Sequence, residues 1–454
     1  MRGVERLAPS DVAVLWPEDF GWPQDLGLLA ILDGASRLDV EQLRAHVGSR
    51  VGLLPPRFRK VLVRPRRGLG RPYWVDAPDL DLEYHVRVLV LPAGVGERDL
   101  LEACEVVRRG RFDARRALWH LTLVEGLSGG RVALFMDVHH CLVDGVSGVT
   151  ALGAFVDVDA PLDVPEPPSP RPAPTTLDLL VDVAVGAFRG LRSFIAAMLR
   201  ARTTWTRLSK DVSAWRRTSR IGRTAATSVN TPLGPRRRYA LVRTSLDDAK
   251  AVAHAHEATV NDVLLCALAG GLRALLASRG ENPAGMTLRA AVPVSQHADA
   301  GGAEGNHDGG LLLALPVGEA DPAIRLRQIA RDSAERKRDA VLPGAASPFF
   351  QSGVVQRLVL RLTPRQRMSN SYVANVPGPP VALSLAGAPI LEAFPIVPLV
   401  GNITVGLGAL SYDGQLGLTV VADADACSDL DVLVAAVERD LVTLVQTLPV
   451  TAAR

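Results

Sequence analysis

The period of apolar and polar positions changes several times along the chain, and each change predicts an element. "LDVEQLRAHVGSR" (38–50) and "RDLLEACEVVRRG" (98–110) carry apolar residues at helical spacing, whereas "KVLVRP" (60–65) and "YHVRVLVLP" (84–92) read as strands. Two more strand patterns, "HLTLVEGL" (120–127) and "GRVALFMDVHH" (130–140), flank the turn residues Ser128, Gly129 and Gly130. The second is apolar on both faces, as a central strand is. From about residue 230 a second α/β pattern begins. Its strands are "RRYALVRTSL" (237–246), "TLRAAVPVS" (287–295), "GLLLALPV" (310–317) and "LGLTVVADAD" (416–425). Its helices are "TVNDVLLCALAGGLRALLASRG" (259–280), opened by the capping-box-like pair Thr259 and Asp262, and "DPAIRLRQIARDSAERKRDA" (321–340). Ser428 is expected to cap a final helix, "DLDVLVAAVERDLVTLVQTL".

Between the two α/β regions the pattern breaks. "DVPEPPSPRPAPTT" (163–176) is too proline-rich for a helix or a central strand and reads as a semi-rigid linker. A long helical segment follows, roughly 177–217. From Phe188 to Arg223 it holds ten basic residues against the single acid Asp211. Phe188, Leu191, Phe194, Ile195, Met198, Leu199, Trp205 and Trp215 supply its apolar side. This strip fits an anionic lipid surface, a strap packed on the domains with solvated arginines, or a contact to CoA phosphates. The expected division is an N-terminal domain (1–162), the linker and basic helical segment (163–229) and a C-terminal domain (230–454). A chain of 454 residues exceeds the usual single core, which agrees with this.

Composition removes several classes. Apolar content of 48% with 22% charged residues is that of an ordinary globular protein. A net charge of +3, concentrated in one strip without a recognition motif, gives no case for nucleic acid. Cys104, Cys141, Cys266 and Cys427 are far apart and match no zinc spacing, which suits a reducing cytosol. The start, "MRGVERLAPSDVAVLW", lacks a signal-peptide pattern, so secretion is not expected. Val376–Leu410 is apolar enough to suggest a membrane span, with Glu392 its one charge. It also contains six prolines and is therefore expected to form broken, buried strands and turns.

The candidate chemistry lies in "FMDVHHCLVDGVSG" (135–148). Neighbouring residues on a strand point to opposite faces, so His139 and His140 cannot serve one site if the strand runs through both. One is expected to pack or orient while the other is presented. Gly145 is free to take a turn conformation, and Asp144 falls where it can fold back or fix the loop. The pair could be a buried structural one or a metal-ligand pair, but His254 and His256 bring no acidic partner in pattern. It could also supply a general base, because a neutral imidazole takes a proton near pH 7.

As a string, H-H-x-x-x-D-G resembles the signature of the acyl-CoA-dependent acyltransferases, which include chloramphenicol acetyltransferase and peptide-synthetase condensation domains. Further stretches narrow the resemblance to the bacterial wax ester synthase/diacylglycerol acyltransferase family. They are "RALWHLTLVEGL" (116–127, with Ala117 where proline is usual), "NTPLGPRRRYA" (230–240), "TVNDVLLCAL" (259–268), "LRAAVPVS" (288–295), Gly305–Asn306, "ANVPGP" (374–379) and 401–423. The resemblance implies an α/β fold of two chloramphenicol-acetyltransferase-like domains, each a mixed sheet with helices, joined by a helical strap. It implies acyl transfer from acyl-CoA, as co-substrate, to diacylglycerol or a fatty alcohol. His140 would be the base, Asp144 the structural acid and His139 a supporting residue. Gly145, Asn261, Asp262 and Asn375 are expected at the substrate site, with a helix cap as the alternative role for Asn261 and Asp262. No metal or redox cofactor is implied. The protein would be cytoplasmic, peripheral at the inner face of the plasma membrane or at lipid droplets. Two other activities remain open: transfer to a polyketide or glycolipid hydroxyl, and a non-catalytic lipid-binding or droplet-coating role.

Overall fold

The computed structural model describes residues 4–36, 38–66, 69–77, 80–143, 151, 153–157, 163–199, 222–294, 309–339 and 353–448. In chain order the helices are α1 (Pro9–Leu15), α2 (Val40–Ser49), α3 (Leu82–His85), α4 (Glu97–Arg109), α5 (Thr176–Leu199), α6 (Leu246–Ala255), α7 (Val260–Ser278), α8 (Pro322–Asp339), α9 (Gly353–Leu362) and α10 (Leu430–Gln446). The strands of the N-terminal half are β1 (Asp25–Asp33), β2 (Lys60–Val63), β3 (Tyr73–Asp76), β4 (Val86–Val95), β5 (Trp119–Leu127) and β6 (Arg131–His139). Those of the C-terminal half are β7 (Arg237–Ser245), β8 (Leu288–Val294), β9 (Gly309–Leu315), β10 (Ser371–Val376), β11 (Ser384–Leu385), β12 (Ala388–Ile396), β13 (Val405–Tyr412) and β14 (Gln415–Asp423).

Two six-stranded mixed sheets carry the architecture, as expected. The first has the order β11-β12-β1-β6-β5-β4, the second β7-β14-β13-β10-β8-β9. In the first only β4 and β5 run parallel; in the second β10 is parallel to both β13 and β8. One face of the second sheet packs against α6, α7, α8 and α10 in an apolar core around Leu264, Leu268, Leu407, Val420 and Val437. The first sheet has its own core, with Leu32, Trp119, Leu121, Leu134 and Met136. A third apolar cluster joins the two sheets: Leu29, Phe135 and Phe394 meet Tyr239, Leu241 and Val421.

The sequence division at 229/230 does not describe two closed units. Strands β11 and β12 belong to the C-terminal segment, yet they complete the first sheet, with β12 antiparallel to β1 from Gly27↔Ile396 to Leu32↔Ile390. They cover the backbone edge that β1 would otherwise leave unpaired. β12 also lies close over β13 and β14. A Cβ on Gly417 would stand 2.3 Å from the Ala393 carbonyl oxygen, so the crossing needs glycine there. The apolar, proline-broken stretch Val376–Leu410 thus becomes strands and turns, as expected, mostly buried from Ala393 on, whereas Val381 and Leu391 are exposed.

β1 was not expected from the pattern of "DLGLLAILD", although it lies between β12 and β6 in the first sheet. The final helix differs in detail too. It starts at Leu430 with Asp429 at the cap position and no side-chain cap, because Arg279 takes the Asp429 carboxylate at 2.5 and 2.8 Å. Of the expected 177–217 helix, α5 is described to Leu199, and residues 200–221 lie outside the described residues. Arg6 pairs with Asp182 on α5 at 2.8 Å, while Leu177, Val185 and Phe188 are exposed. Among the described residues one helix, α7, is long and apolar enough to cross a membrane, and 72% of that stretch is buried inside the protein.

Candidate active site

β6 runs between β1 and β5, and its alternation sorts its side chains. Leu134, Met136 and Val138 enter the first core, whereas Ala133 and Phe135 face the seam between the sheets, with Asp137 and His139 continuing that face. The strand ends at His139, and the backbone is caught as it leaves. The His140 amide donates to the Gln24 carbonyl (2.9 Å), the Cys141 amide to His139 Nδ1 (3.0 Å) and the Leu142 amide to the His139 carbonyl (2.9 Å). The half-buried His140 ring then bonds through Nδ1 to the Val143 carbonyl oxygen at 3.0 Å. A carbonyl only accepts, so Nδ1 must carry the proton there. In the neutral ring the basic lone pair is therefore on Nε2.

His139 does different work. Its buried ring bonds through Nε2 to the Glu18 carboxylate at 2.9 Å, and Glu18 lies on the 3-10 turn Trp16–Phe20. Burial opposes a charge on this ring, while the Cys141 side chain and Glu18 favour one. The Cys141 amide N–H already points at Nδ1, and that geometry decides for a neutral ring protonated on Nε2. Burial likewise pushes the Glu18 carboxyl up, but the His139 hydrogen bond, with Arg64 and Arg111 nearby, holds it below the usual range.

Two further acids lie under this pair. Asp25 on β1 is in register with His139, and Asp137 is in register with the next residue on the same face, Gly27. Both are buried, and each has an Oδ1 atom without a hydrogen-bond partner. Burial pushes the Asp25 carboxyl up to about 6, with the Glu18 charge adding to the rise. Asp137 is raised for the same first reason and then by Asp25. On α4, Arg108 is held by Glu105 at 2.7 and 2.8 Å. Glu105 also reaches the second sheet, accepting from the Tyr239 hydroxyl and the Arg237 amide at 2.7 Å each. A buried polar chain therefore crosses the seam beneath the histidines.

Ligand atoms of Glu18, Asp25 and His139 lie within 4.8 Å of one another, a grouping that could hold a cation. The His139 tautomer argues otherwise: a metal on Nε2 would leave Nδ1, which accepts an amide N–H, without the proton that a neutral ligand keeps.

An apolar cavity of about 80 Å³ lies along the face of β6 opposite His139. It is walled by Leu28, Ala30, Leu134, Met136, Ile390 and Leu410, with Tyr412 beside them. The Tyr412 hydroxyl donates to the Ile390 carbonyl (3.0 Å) and accepts from the Leu383 amide (2.8 Å). At 10–15 Å³ per water-sized occupant, this space holds roughly six.

The structure places the expected site residues unevenly. His139 and His140 are adjacent, with His139 bonded to Glu18 and His140 to the Val143 carbonyl, while Asp144 and Gly145 lie outside the described residues. Asp262 is engaged in the capping box, accepting from the Thr259 amide (2.8 Å) and hydroxyl (2.7 Å). Asn261 is half-buried in the same first turn of α7, on the sheet face turned away from the seam. Asn375 is exposed on β10 opposite Ala409. No described contact joins these three to His140. The sequence reading missed Glu18, Gln24, Asp25 and Asp137. Acids inside the apolar runs "QDLGLLAILD" and "ALFMDVHH" were the available signal.

Comparison with known proteins supplies the context. The wax ester synthase/diacylglycerol acyltransferase catalytic domain matches residues 7–264, and the C-terminal domain of the same group matches residues 304–444. A probable diacylglycerol O-acyltransferase of Mycobacterium tuberculosis is 29% identical over 437 residues, covering 92% of this chain and 91% of that protein. A putative one from the same organism is 32% identical over 413 residues, covering 84% and 79%. Among solved structures, the wax ester synthase/diacylglycerol acyltransferase from Marinobacter aquaeolei VT8 aligns with a TM-score of 0.70 at 23% identity, covering 97% of this chain and 98% of that one. The starter condensation domain of rhizomide synthetase aligns at 0.59 with 14% identity, covering 100% and 98%. These two likenesses establish a shared fold.

Proposed function

Because the chain belongs to the wax ester synthase/diacylglycerol acyltransferase family, we propose that it moves a long-chain acyl group from acyl-CoA to a lipid hydroxyl, with His140 as general base. The acceptor is diacylglycerol, giving triacylglycerol, or a fatty alcohol, giving a wax ester. The observation that carries the base assignment is the hydrogen bond from His140 Nδ1 to the Val143 carbonyl, which puts the basic lone pair on Nε2.

Nε2 accepts the hydroxyl proton as the alkoxide oxygen attacks the thioester carbonyl carbon. The tetrahedral intermediate collapses, breaking the carbon–sulfur bond, and the thiolate leaves. The imidazolium then returns its proton from Nε2 to the departing thiolate sulfur, giving free CoA and restoring the base. No metal or redox group enters these steps. The cavity beside Met136 would take part of the acyl chain, in keeping with its apolar wall from Leu383, Leu385 and Ile390. Lipid-borne substrates favour work at a lipid surface, at the inner face of the plasma membrane or at lipid droplets, and the exposed apolar residues on α5 support it.

The test is CoA release from palmitoyl-CoA with diacylglycerol and, separately, with hexadecanol. Wild type should release CoA with at least one acceptor, and His140→Ala should lose about 100-fold or more in kcat. An equally active variant refutes the base assignment. Absence of turnover with either acceptor, despite liposome binding, refutes the activity.

A further inference from the structure

Helix α9 lies where the first half of the chain meets the second. It packs on the 3-10 turn Trp16–Phe20, the turn that presents Glu18 to His139, and the Arg357 guanidinium lies 5.8 Å from the centre of the Trp16 ring. After the helix, Gln366 donates to the Asn402 side chain at 2.7 Å and thereby ties the segment to the loop before β13. The element is thus anchored on both sides of the seam, next to the end of β6.

Its outer side is left uncovered by the described residues. Leu358 and Leu362 are each 57% exposed, and Val359 and Met368 are about two-fifths exposed. Arg357 and Arg361 stand one turn apart on α9 and Arg365 follows on the 3-10 turn Thr363–Arg365, all exposed, and no acid occurs from Gly353 to Met368. At 1.5 Å per residue, Arg357 and Arg361 lie about 6 Å apart along α9, and Arg365 extends the row past its end. A diphosphate or a nucleotide phosphate is recognised by cations converging on one point. A line of cations interleaved with exposed leucines fits a plane that is apolar within and negative at its face.

We propose that α9 is an element through which this protein docks on an anionic phospholipid surface, bringing the end of β6 to the plane in which lipid substrates lie. The leucines enter the acyl boundary while the arginines meet the headgroup phosphates. The interest of this placement rests on the lipid-acceptor reading above, but the surface can be tested apart from it.

The full chain is sedimented with phosphatidylcholine vesicles containing 30% phosphatidylglycerol, and with phosphatidylcholine vesicles alone. Arg361→Gln/Arg365→Gln should weaken partition onto the anionic vesicles by about fivefold per arginine, about 25-fold for the pair. Leu358→Ser/Leu362→Ser should also weaken it. Wild-type partition should fall as salt rises to 1 M. The KM for acyl-CoA with a water-soluble short-chain alcohol should stay unchanged in both variants. Unaltered vesicle binding by both variants overturns the proposal, as does a wild type that ignores anionic vesicles. A raised KM for acyl-CoA with unaltered vesicle binding also overturns it and assigns the arginines to CoA phosphates. Salt-sensitive binding through α9 by a protein that turns over no acyl-CoA would sustain this inference while refuting the activity.

Discussion

Replacing Asp25 by Asn should stabilise the protein, and should do so only above a certain pH. Asp25 is buried with one carboxylate oxygen unpartnered, and its carboxyl is pushed up from 3.8 to about 6. The native state therefore holds this proton more tightly than the unfolded chain does. Stability from this group is fully present below about pH 4 and is lost as pH rises through about 6, since the unfolded state gives up its proton first. A shift of about 2 units corresponds to roughly 3 kcal/mol. Asn keeps the shape of the protonated acid and cannot ionise, so Asp25→Asn should recover much of that amount at pH 8 and only about a third of it at pH 4.5. It also removes the charge that helps to raise Asp137, an effect of the same sign. For a cooperative chain of 454 residues, unfolding entropy is about 1 kcal/mol/K, so the gain at pH 8 is about 3 °C in Tm. Thermal melts of variant and wild type at pH 4.5, 6 and 8 read the difference directly, and subtraction cancels other titrating groups. A variant destabilised equally at all three values would show that Asp25 is native as a carboxylate and would refute the argument.

Two other substitutions probe the surroundings. Glu18→Ala leaves the buried His139 Nε2–H without its acceptor, so it should cost about 1–3 kcal/mol in urea melts and lower kcat more than it raises KM. Glu18→Gln keeps an acceptor oxygen and should restore most of both; equal loss in the two variants would remove His139 from any positioning role. At the crossing of β12 over β14, Gly417→Val should cost about 1–3 kcal/mol or more, because its Cβ meets the Ala393 carbonyl oxygen. Gly186→Ala, in open space on α5, is the contrasting case and should gain about 0.5–1 kcal/mol. A tolerated valine at 417 would mean that β12 does not press on the second sheet.

The sequence by itself determined what depends on neighbours in the chain. Helical and strand periods placed α2, α4, α7 and α8, and Thr259 with Asp262 marked the start of α7. The period of two along β6 put Asp137 and His139 on the face opposite Met136 and Val138, but the strand ends at His139, so the turn after it places His140. β1 escaped although its apolar run is of the same kind as that of β6. Only the tertiary structure decided that β11 and β12 leave their own half to finish the first sheet, since backbone hydrogen bonds carry no sequence label. It also decided which groups surround the histidines. Glu18 lies 121 positions before His139, and Glu105 meets Tyr239 across 134. Burial creates the raised carboxyl of Asp25, and burial is a property of everything packed around a residue.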